Sequence, residues 1–530
     1  MSVIKQERST CIMKDKIIAL DLGSTGIKVV LFNSKAEILG LVYDEYKTYY
    51  PAPNMTLQSP TDWWKYFCRN SKKLLQETGT TPEEIACVAP SGQMSALIPL
   101  DAEGKLLMDP CHIWADMRTS AQVEEVAQRY GGQEKVYNMT GIGLTPETFT
   151  GYKIMWLRQN EPEIFAKTMC YLQPKEYIGF KLTGNKATDY SDASETAMMD
   201  VRNRKWCKDI LDIIGIDETK LPPIKMAYDL LGYVTREAAE ESGLAEGTPV
   251  CVGGGDVAIA ASGAGISKDG ECYLYIGSGT WTGICSDKPM LDYEKKIACI
   301  CSTTSNGYTP HVVAFSGGLS QLWARDLINT IPGLTSYMDY EKMGQLAAES
   351  GVGAKGIIFL PFLRGGGAPT QNINARSSFI GLEARHSYGD LCRAILEGVG
   401  YIMRQMVEML QSQTKTKITE VYFIGGGSKS KLWRQIIADI LQKPVVCTTM
   451  KQEANTWGAA KCGGVCVGLW KNFDEAQSLV HRESVTMPDP SKKAVYDLLY
   501  EAFLESYEQL VPVFEKLANC REEIENYNKE

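Results

Sequence analysis

Two glycine-rich turns, one in each half of the chain, constrain its fold more than any other sequence feature. Residues 16–32 read KIIALDLGSTGIKVVLF, and residues 270–285 read GECYLYIGSGTWTGIC. Each stretch is an apolar run, a turn of Gly, Ser and Thr, and a second apolar run with β-branched residues, which is typical of a β-hairpin. Small residues in such a turn let backbone amides approach and bind a phosphate group. The sequence therefore predicts a duplicated fold that holds a polyphosphate from both sides.

Length and composition set the broad class. A chain of 530 residues, 44% hydrophobic and 22% charged, is expected to form two or more ordinary globular domains. Its net charge of −9 argues against nucleic acid as the main partner, because domains that bind nucleic acids are usually basic. The 16 cysteines are scattered without zinc-site spacing, and no signal peptide or membrane span is evident. We expect a cytoplasmic protein with free thiols and no membrane partner.

Strand and helix patterns alternate along the chain, which indicates an α/β fold. Turn-forming residues at 246–249 mark the expected boundary between two domains. The predicted organisation is an N-terminal extension, two domains and a helical C-terminal segment, over residues 1–14, 15–247, 248–485 and 486–530.

The first turn carries residues suited to phosphate and metal. Asp21 closes the first apolar run, and Gly23, Ser24 and Thr25 form the turn, with Lys28 beyond it. The backbone amides and hydroxyls would bind phosphate, and the Asp21 carboxylate would meet a metal–phosphate complex. An ordinary hairpin turn without a ligand is the alternative. The second turn, Gly277, Ser278, Gly279 and Thr280, repeats the pattern and favours phosphate binding.

Asp256 is the candidate catalytic residue. It follows Gly253-Gly254-Gly255, which come directly after a predicted strand and leave room for a ligand at the end of that strand. At the start of a helix the dipole favours the ionised carboxylate, which accepts a proton from a substrate hydroxyl. The alternative is a purely structural N-cap, a position that Asp favours.

Gly425-Gly426-Gly427-Ser428 lies between a predicted strand and a predicted helix. The dinucleotide pattern G-x-G-x-x-G fails here, because its third glycine position is Ser430. A glycine-rich wall against the adenosine of a nucleotide is the preferred interpretation.

Polar and aromatic residues that suit a sugar follow two short predicted strands. They are Gln93, Met94, Ser95, Trp114 and Asp116. Amides and carboxylates bind sugar hydroxyls, and an aromatic ring covers the C–H face; loop residues around a core Trp are the alternative. The four histidines lie far apart and match no nucleophile or metal motif, which leaves an aspartate as the natural base.

Together these motifs resemble the FGGY carbohydrate kinases, a branch of the actin, hexokinase and heat-shock ATPase superfamily. The resemblance extends from about Lys16 to about Val485. The segments that carry it are DLGSTGIK at 21–28, VGGGDVA at 252–258, KIMWLRQN at 153–160, SSFIGLEARHSYGDLCRAILE at 377–397 and IGGGSKSKLWRQIIADI at 424–440.

The resemblance implies two actin-like (ribonuclease H-like) domains with ATP and Mg²⁺ in the cleft between them. It implies transfer of the γ-phosphoryl group to a hydroxyl of a sugar or polyol. By the same resemblance Asp256 is the base, and Asp21 lies near the metal, directly or through water. Gly277–Thr280 is the second phosphate turn, Gly425–Ser428 faces the adenosine, and Met94, Ser95, Trp114, Asp116 and Asp256 line the sugar pocket.

Within the family the chain is most similar to the xylulokinases, which implies phosphorylation of D-xylulose to D-xylulose 5-phosphate. The likeness rests on GQM at 92–94, PKEY at 174–177, DYSDAS at 189–194 and LEGVGY at 396–401. Three positions depart from that pattern: Ser95 stands for the usual His, Ala115 for Asn and Val257 for Asn.

The sequence WAD at 114–116 resembles gluconate kinases, and Val257 resembles the autoinducer kinases. Gluconate, another ketose or polyol, and a linear C5 compound therefore remain alternative acceptors. An actin-like ATP-binding protein without kinase activity and a dehydrogenase are the alternatives from other classes. The sequence leaves the oligomeric state open, with a homodimer among the alternatives.

Overall fold

The structure is a computed structural model that describes residues 14–527 except residues 53, 144, 305, 333–335 and 368. The expected N-terminal extension lies outside the described residues, apart from Lys14.

The first half of the chain supplies sixteen short and long strands and nine α-helices among the described residues. The strands are β1 Lys16–Leu22, β2 Gly26–Asn33, β3 Ile38–Glu45, β4 Thr48–Tyr49, β5 Leu57–Gln58, β6 Ile85–Gly92, β7 Ile98–Leu100, β8 Cys111–His112, β9 Cys170–Leu172, β10 Thr188–Asp189, β11 Met199–Asp200, β12 Lys205–Trp206, β13 Ile224–Lys225, β14 Leu230–Tyr233, β15 Pro249–Cys251 and β16 Gly254–Gly255. The helices are α1 Pro60–Thr78, α2 Ser120–Tyr130, α3 Gln133–Thr140, α4 Thr150–Asn160, α5 Pro162–Lys167, α6 Pro174–Thr183, α7 Tyr190–Ser194, α8 Lys208–Ile214 and α9 Arg236–Ser242.

The second half continues with longer helices. Its strands are β17 Cys272–Ile276, β18 Thr280–Ile284, β19 Ala298–Cys301, β20 Tyr308–Ala314, β21 Ile358–Leu360, β22 Ser378–Ile380, β23 Val421–Ile424, β24 Val445–Thr448 and β25 Arg482–Thr486. Its helices are α10 Asp256–Ala264, α11 Gly318–Asn329, α12 Tyr340–Ser350, α13 Tyr388–Gln411, α14 Lys431–Leu441, α15 Ala454–Cys466, α16 Phe473–Ser478 and α17 Lys493–Tyr527.

Two seven-stranded sheets share one plan. The first has the strand order β14-β15-β6-β1-β2-β3, with β16 also paired to β6, and the second has β19-β20-β18-β17-β23-β24-β25. In each sheet an antiparallel hairpin (β1–β2, β17–β18) and a third antiparallel strand are followed by two parallel strands and an antiparallel edge strand. The sheets confirm the duplicated α/β fold, and both predicted hairpins are present.

Local sequence signals explain several boundaries. Strand β6 continues to Gly92 because it pairs with β1 as far as Leu22. The long helix α13 begins after Ser387, whose hydroxyl accepts a hydrogen bond from the Asp390 amide while the Asp390 carboxylate caps Ser387 in return. The C-terminal segment is helical as expected, and α17 packs Tyr496, Phe503 and Phe514 into the core of the second sheet.

The sheet pairing differs from the expected division at 247/248. Val250 of β15 pairs with Val88 of β6, and Gly254 and Gly255 of β16 pair with Ser91 and Gly92 of the same strand. Strands β15 and β16 therefore belong to the first sheet. Strand β15 is only three residues long, and a run this short does not show from the sequence which sheet it joins. Sheet membership favours a division after residue 255.

Helices α10 and α15 lie between the two sheets. Their backbones approach closely, because a Cβ at Gly263 would lie 1.7 Å from the Ala454 carbonyl oxygen. Helix α15 also packs on β1 and β6, where a Cβ at Gly463 would lie 2.9 Å from Cβ of Ala89. The two halves thus meet through a shared apolar cluster that includes Ile17 and Trp457.

Within the part of the chain that the structure describes, no helix is long and apolar enough to cross a membrane. The described cysteines are unpaired.

Candidate active site

The first glycine-rich turn is fixed by hydrogen bonds from its surroundings. Gly23 N donates to the Gly26 carbonyl at 3.0 Å and closes the turn. Gln58 Nε2 donates to the Ser24 carbonyl at 2.7 Å, and Trp114 Nε1 donates to the Ser24 hydroxyl oxygen at 2.8 Å. The expected phosphate turn and the expected sugar-binding Trp114 are therefore in direct contact.

Asp21 lies at the end of β1, beside Ser91 of β6 and opposite Lys28 of β2. Burial raises the pKa of its carboxyl, whereas the Lys28 charge and a hydrogen bond from Asn455 lower it. Its Oδ1 is buried and has no hydrogen-bond partner among the described residues. A carboxylate oxygen without a protein partner suits a hard cation such as Mg²⁺.

Asp256 is the first residue of α10, and Gly255 is its N-cap. The Asp256 carboxylate accepts one hydrogen bond, from the amide of its neighbour Val257 at 2.8 Å. Gly255, not Asp256, holds the N-cap position, although the Asp256 carboxylate does bond one amide of the first helical turn, that of Val257.

The expectation that Asp256 is ionised by the helix dipole is opposed by its surroundings. Burial, and then the charge of Asp21, raises the pKa of Asp256 to about 8. The two aspartates lie near each other because β1 and β16 both run parallel to β6 and end at the same edge of the sheet. Ligands of open α/β sheets bind at this edge.

The loop after β6 holds three of the expected sugar-binding residues. Gln93 Nε2 donates to Gln58 Oε1 at 2.8 Å, and Gln93 Oε1 is buried without a described partner. Met94 packs against Gly255, where a Cβ would lie 2.5 Å from its Sδ. Ser95 has a φ of +59°, which L-residues rarely adopt. The loop therefore lies against the residue that precedes Asp256.

Asp116 is held by protein donors. Arg118 donates to both of its carboxylate oxygens at 2.8 and 2.7 Å, and Thr56 N adds a third hydrogen bond at 2.8 Å. Burial opposes ionisation, but the bonds and charge of Arg118, the charge of His112 and the bond from Thr56 N together outweigh it, so the pKa of Asp116 lies below its usual value. Three of its four acceptor positions are in use, which leaves room for one sugar hydroxyl.

The second turn lies at the matching edge of the second sheet. Gly277 N donates to the Gly279 carbonyl at 3.0 Å, and the Ser278 carbonyl accepts from Gly317 N and Leu319 N at 3.0 Å. The Thr280 hydroxyl donates to the Tyr275 carbonyl at 2.6 Å, so this side chain serves the hairpin.

The second hairpin faces the two aspartates. After burial, the charges of Asp21 and Asp256 are the main causes that raise the pKa of Tyr275. The Tyr275 ring stacks on Trp281 with centroids 3.6 Å apart. Residues of both halves therefore converge at the edge where the two turns lie.

The glycine segment 425–428 lies beside the second turn. A Cβ at Gly425, whose φ is +85°, would lie 2.5 Å from the carbonyl oxygen of Ile276. The Ser428 hydroxyl donates to the Gly425 carbonyl at 2.6 Å and is buried. The Lys28 side chain contacts the loop before α15: its Nζ donates to the Gln452 carbonyl at 3.3 Å and lies 3.6 Å from the Glu453 carboxylate.

Comparison with known proteins decides the family. The N-terminal domain of the FGGY family of carbohydrate kinases matches residues 16–263, and the C-terminal domain of that family matches residues 274–467. The chain belongs to the FGGY family of carbohydrate kinases. Membership in this family establishes ATP-dependent phosphorylation of a carbohydrate and an actin-like ATPase fold, and it removes the dehydrogenase alternative.

Similar proteins include kinases named for xylulose and for gluconate. The xylulose kinase of Escherichia coli is 30% identical over 94% of this chain and 99% of its own. A ligand-bound xylulose kinase from Lactobacillus acidophilus superposes with a TM-score of 0.85 at 25% identity, over 95% of this chain and 99% of its own. A gluconate kinase from the same organism gives the same TM-score, identity and coverage.

Lys153 was missed as a functional residue. It lies in α4 within the KIMWLRQN segment of the FGGY resemblance, and its side chain is fully buried. Its Nζ donates to the carbonyl oxygens of Ser95 and Ile113, each at 2.6 Å. It thus joins the loop after β6 to the loop that carries Trp114 and Asp116. The KIMWLRQN motif was a signal, but the hydrogen-bond partners of Lys153 are distant in sequence.

Glu195 was also missed. It follows helix α7, whose Ser191 hydroxyl accepts a hydrogen bond from Gly255 N at 3.0 Å. Lys175 holds helix α7 in place, because its Nζ lies 2.9 Å from the Asp192 carboxylate and 3.2 Å from the Asp189 carboxylate. The DYSDAS motif was a signal for this region, but it ends one residue before Glu195.

Proposed function

We propose that the chain phosphorylates D-xylulose with ATP to give D-xylulose 5-phosphate. The observation that carries the proposal is the pair Asp21 and Asp256 at one sheet edge, with Tyr275 of the second hairpin facing both. The relatives suggest which acceptor is phosphorylated, because several curated proteins that match nearly the whole chain are xylulose kinases.

Asp256 is the proposed general base. Among the described residues its carboxylate is bound by the neighbouring amide of Val257, through Oδ1, which leaves Oδ2 to accept the proton of the attacking hydroxyl. Phosphoryl transfer depends on positioning and charge neutralisation more than on covalent chemistry. The base therefore needs only to be ionised and close to the acceptor.

The polyphosphate would lie between the two turns. We assign Gly23, Ser24 and Thr25 to one side, with Lys28 at its margin, and Gly277, Ser278, Gly279 and the amide of Thr280 to the other. Gly425–Ser428 would face the adenosine, since that segment has no side chain large enough to block a nucleotide.

The residues present fit Mg²⁺. Asp21 offers a carboxylate oxygen without a partner, and among the described residues no group of three or more His, Cys, Asp or Glu side chains could hold a metal ion alone. Mg²⁺ bound by one carboxylate together with phosphates matches that donor set, and when bound it neutralises charge on the phosphates.

The acceptor pocket would be lined by Gln93, Met94, Ser95, Trp114 and Asp116. Closure of the two halves over them would exclude water, which otherwise competes as phosphoryl acceptor. Since free ATP is a cytoplasmic metabolite, we place the protein in the cytoplasm.

Gluconate is the second candidate acceptor. Ala115 within the WAD sequence favours it, and so does the equal structural likeness to a gluconate kinase. Both acceptors are compatible with the same base and the same turns.

A coupled assay of ADP release over D-xylulose, other ketoses, polyols and gluconate tests the proposal. We expect D-xylulose to give the highest kcat/KM and Asp256→Asn to lower kcat by about 10²–10⁴-fold while ATP still binds. The exposed Asp212 provides a matched Asp→Asn control that should retain activity. Turnover of gluconate alone would replace the acceptor, and absence of sugar turnover would favour an actin-like ATP-binding protein.

A further inference from the structure

Glu195 is only partly buried, yet one oxygen of its carboxyl is enclosed without a described partner. Its Oε2 has no hydrogen-bond partner among the described residues, although it is buried. Burial, and then the charge of Asp256, raises the pKa of Glu195 to about 8. Buried polar atoms in folded proteins are normally paired, so an unpaired one requires an explanation.

The position of Glu195 supplies that explanation. The Ser95 hydroxyl donates to the Glu195 carbonyl oxygen at 3.2 Å, which fixes the residue against the loop after β6. Its carboxyl is near enough to Asp256 for that charge to act on it. Glu195 therefore lies between the Ser95 loop and the proposed base, where the acceptor must be held.

A structural ion pair does not account for Glu195. The nearby buried ammonium, Lys175, lies within 4 Å of Asp189, Asp192 and Glu176 and is shared among those three carboxylates. No salt bridge to Glu195 occurs in the described part of the chain. A buried carboxyl near a second acidic group, without a cation, is costly unless a ligand uses it.

We propose that Glu195 contacts the acceptor and selects an uncharged ketose or polyol over an acceptor that carries a carboxylate. This inference rests on the proposed kinase function and assigns the acceptor class of the same site. The Glu195 carboxyl would exchange hydrogen bonds with a hydroxyl or carbonyl oxygen of the sugar. A carboxylate on the acceptor would instead bring a negative charge beside Glu195, Asp256 and Asp21, whose ionisation burial already opposes, and would hinder ionisation of the proposed base.

Discrimination of this kind is strong when a site is built for one hydrogen bond, because the wrong acceptor leaves a buried polar group unpaired. Like charges in a buried site add to the penalty. The proposal also explains how a chain with Ser95, Ala115 and Val257 could bind a neutral sugar: Glu195 supplies a polar contact that the three smaller or apolar residues do not.

The test compares wild type, Glu195→Gln and Glu195→Ala, with the exposed Glu163→Gln as the matched control. Calorimetric binding of D-xylulose, D-ribulose, xylitol and gluconate is measured first, and kcat/KM for each acceptor follows. We expect wild type to prefer a neutral acceptor. The ratio of kcat/KM for gluconate to that for a neutral acceptor should rise at least about tenfold in both Glu195 variants, because each removes an acidic group that disfavours an acceptor carboxylate. ATP affinity should stay within about twofold, as for a residue that contacts only the acceptor.

Three outcomes would overturn the inference: a wild type that prefers gluconate, an unchanged ratio, or an equal loss for all acceptors together with ATP binding. A preference for a neutral acceptor other than D-xylulose, with the ratio still dependent on Glu195, would leave the inference standing and correct only the proposed substrate. Glu195→Gln preserves size and hydrogen bonding, so it remains informative if Glu195→Ala fails to fold.

Discussion

The Lys153 ammonium donates a 2.6 Å hydrogen bond to the carbonyl oxygen of Ser95. A second bond of the same length reaches the Ile113 carbonyl from a fully buried side chain. One ammonium thus sets the distance between two loops that carry proposed acceptor contacts.

Lys153→Met should therefore weaken acceptor binding more than ATP binding. Without the ammonium both carbonyls lose a donor, and the loops are no longer held together. We expect KM for the acceptor to rise at least about tenfold, because two buried carbonyl oxygens lose their hydrogen-bond donor. Steady-state kinetics with either substrate varied measure the split. The exposed Lys167→Met is the control, and an unchanged acceptor KM would contradict the prediction.

The raised pKa of Asp256 predicts a pH-dependent rate. Its pKa of about 8 means that the base form gains population as pH rises through that value. Since the base must be ionised to accept a proton, kcat/KM should increase from pH 6 and level off above pH 8 or so. Initial rates at saturating ATP across pH 6–10 provide the test; a flat profile would mean that Asp256 is not the base of the free enzyme.

Lys175 should be important for stability. It lies 2.9 Å from Asp192 and 3.2 Å from Asp189 with its side chain fully buried. Lys175→Met leaves buried carboxylates without their cation, and removal of one partner of a buried pair costs about 3–5 kcal/mol of unfolding free energy. Urea unfolding followed by circular dichroism measures it. Lys208→Met, which breaks an exposed pair with Asp212, should change little; similar effects of the two variants would contradict the prediction.

Tyr273 links the second hairpin to the helix of the base. Its hydroxyl accepts from Trp281 Nε1 at 2.9 Å and donates to the Val257 carbonyl at 2.7 Å. Tyr273→Phe should lower the unfolding free energy by about 1–3 kcal/mol, because Trp281 Nε1 loses its partner in a partly buried site. Denaturant titration tests this, with the exposed Tyr337→Phe as control. A stability equal to that of wild type would show that neither bond contributes.

The sequence predicted what is local. Alternation of apolar runs with Gly, Ser and Thr was enough to locate both hairpins, since turn chemistry and strand pattern act over a few residues. The start of α13 is likewise local, because Ser387 and Asp390 cap each other across three residues. These features depend on neighbours in the chain.

What the sequence could not provide depends on packing. The pKa of Asp256 follows from burial and from Asp21, which is more than two hundred residues away in the chain. The bonds of Lys153 and the unpaired Oε2 of Glu195 likewise involve loops that meet only in the folded protein. The sequence placed β15 in the second domain, whereas it pairs with the first sheet. Its three residues are too few to show this, and its pairing partner β6 is remote in sequence.

Helix α15 belongs by sequence to the second half, yet its glycine-rich face covers β1 and β6 of the first sheet. Expression of residues 15–247 alone would leave Ile17, Ala19 and Ala89 uncovered, an apolar surface of the kind that promotes aggregation. The two sheets, although built to one plan, are therefore not separable modules. Helix α15 is the wall that both halves share, so a substitution on its glycine-rich face would disturb both sheets together.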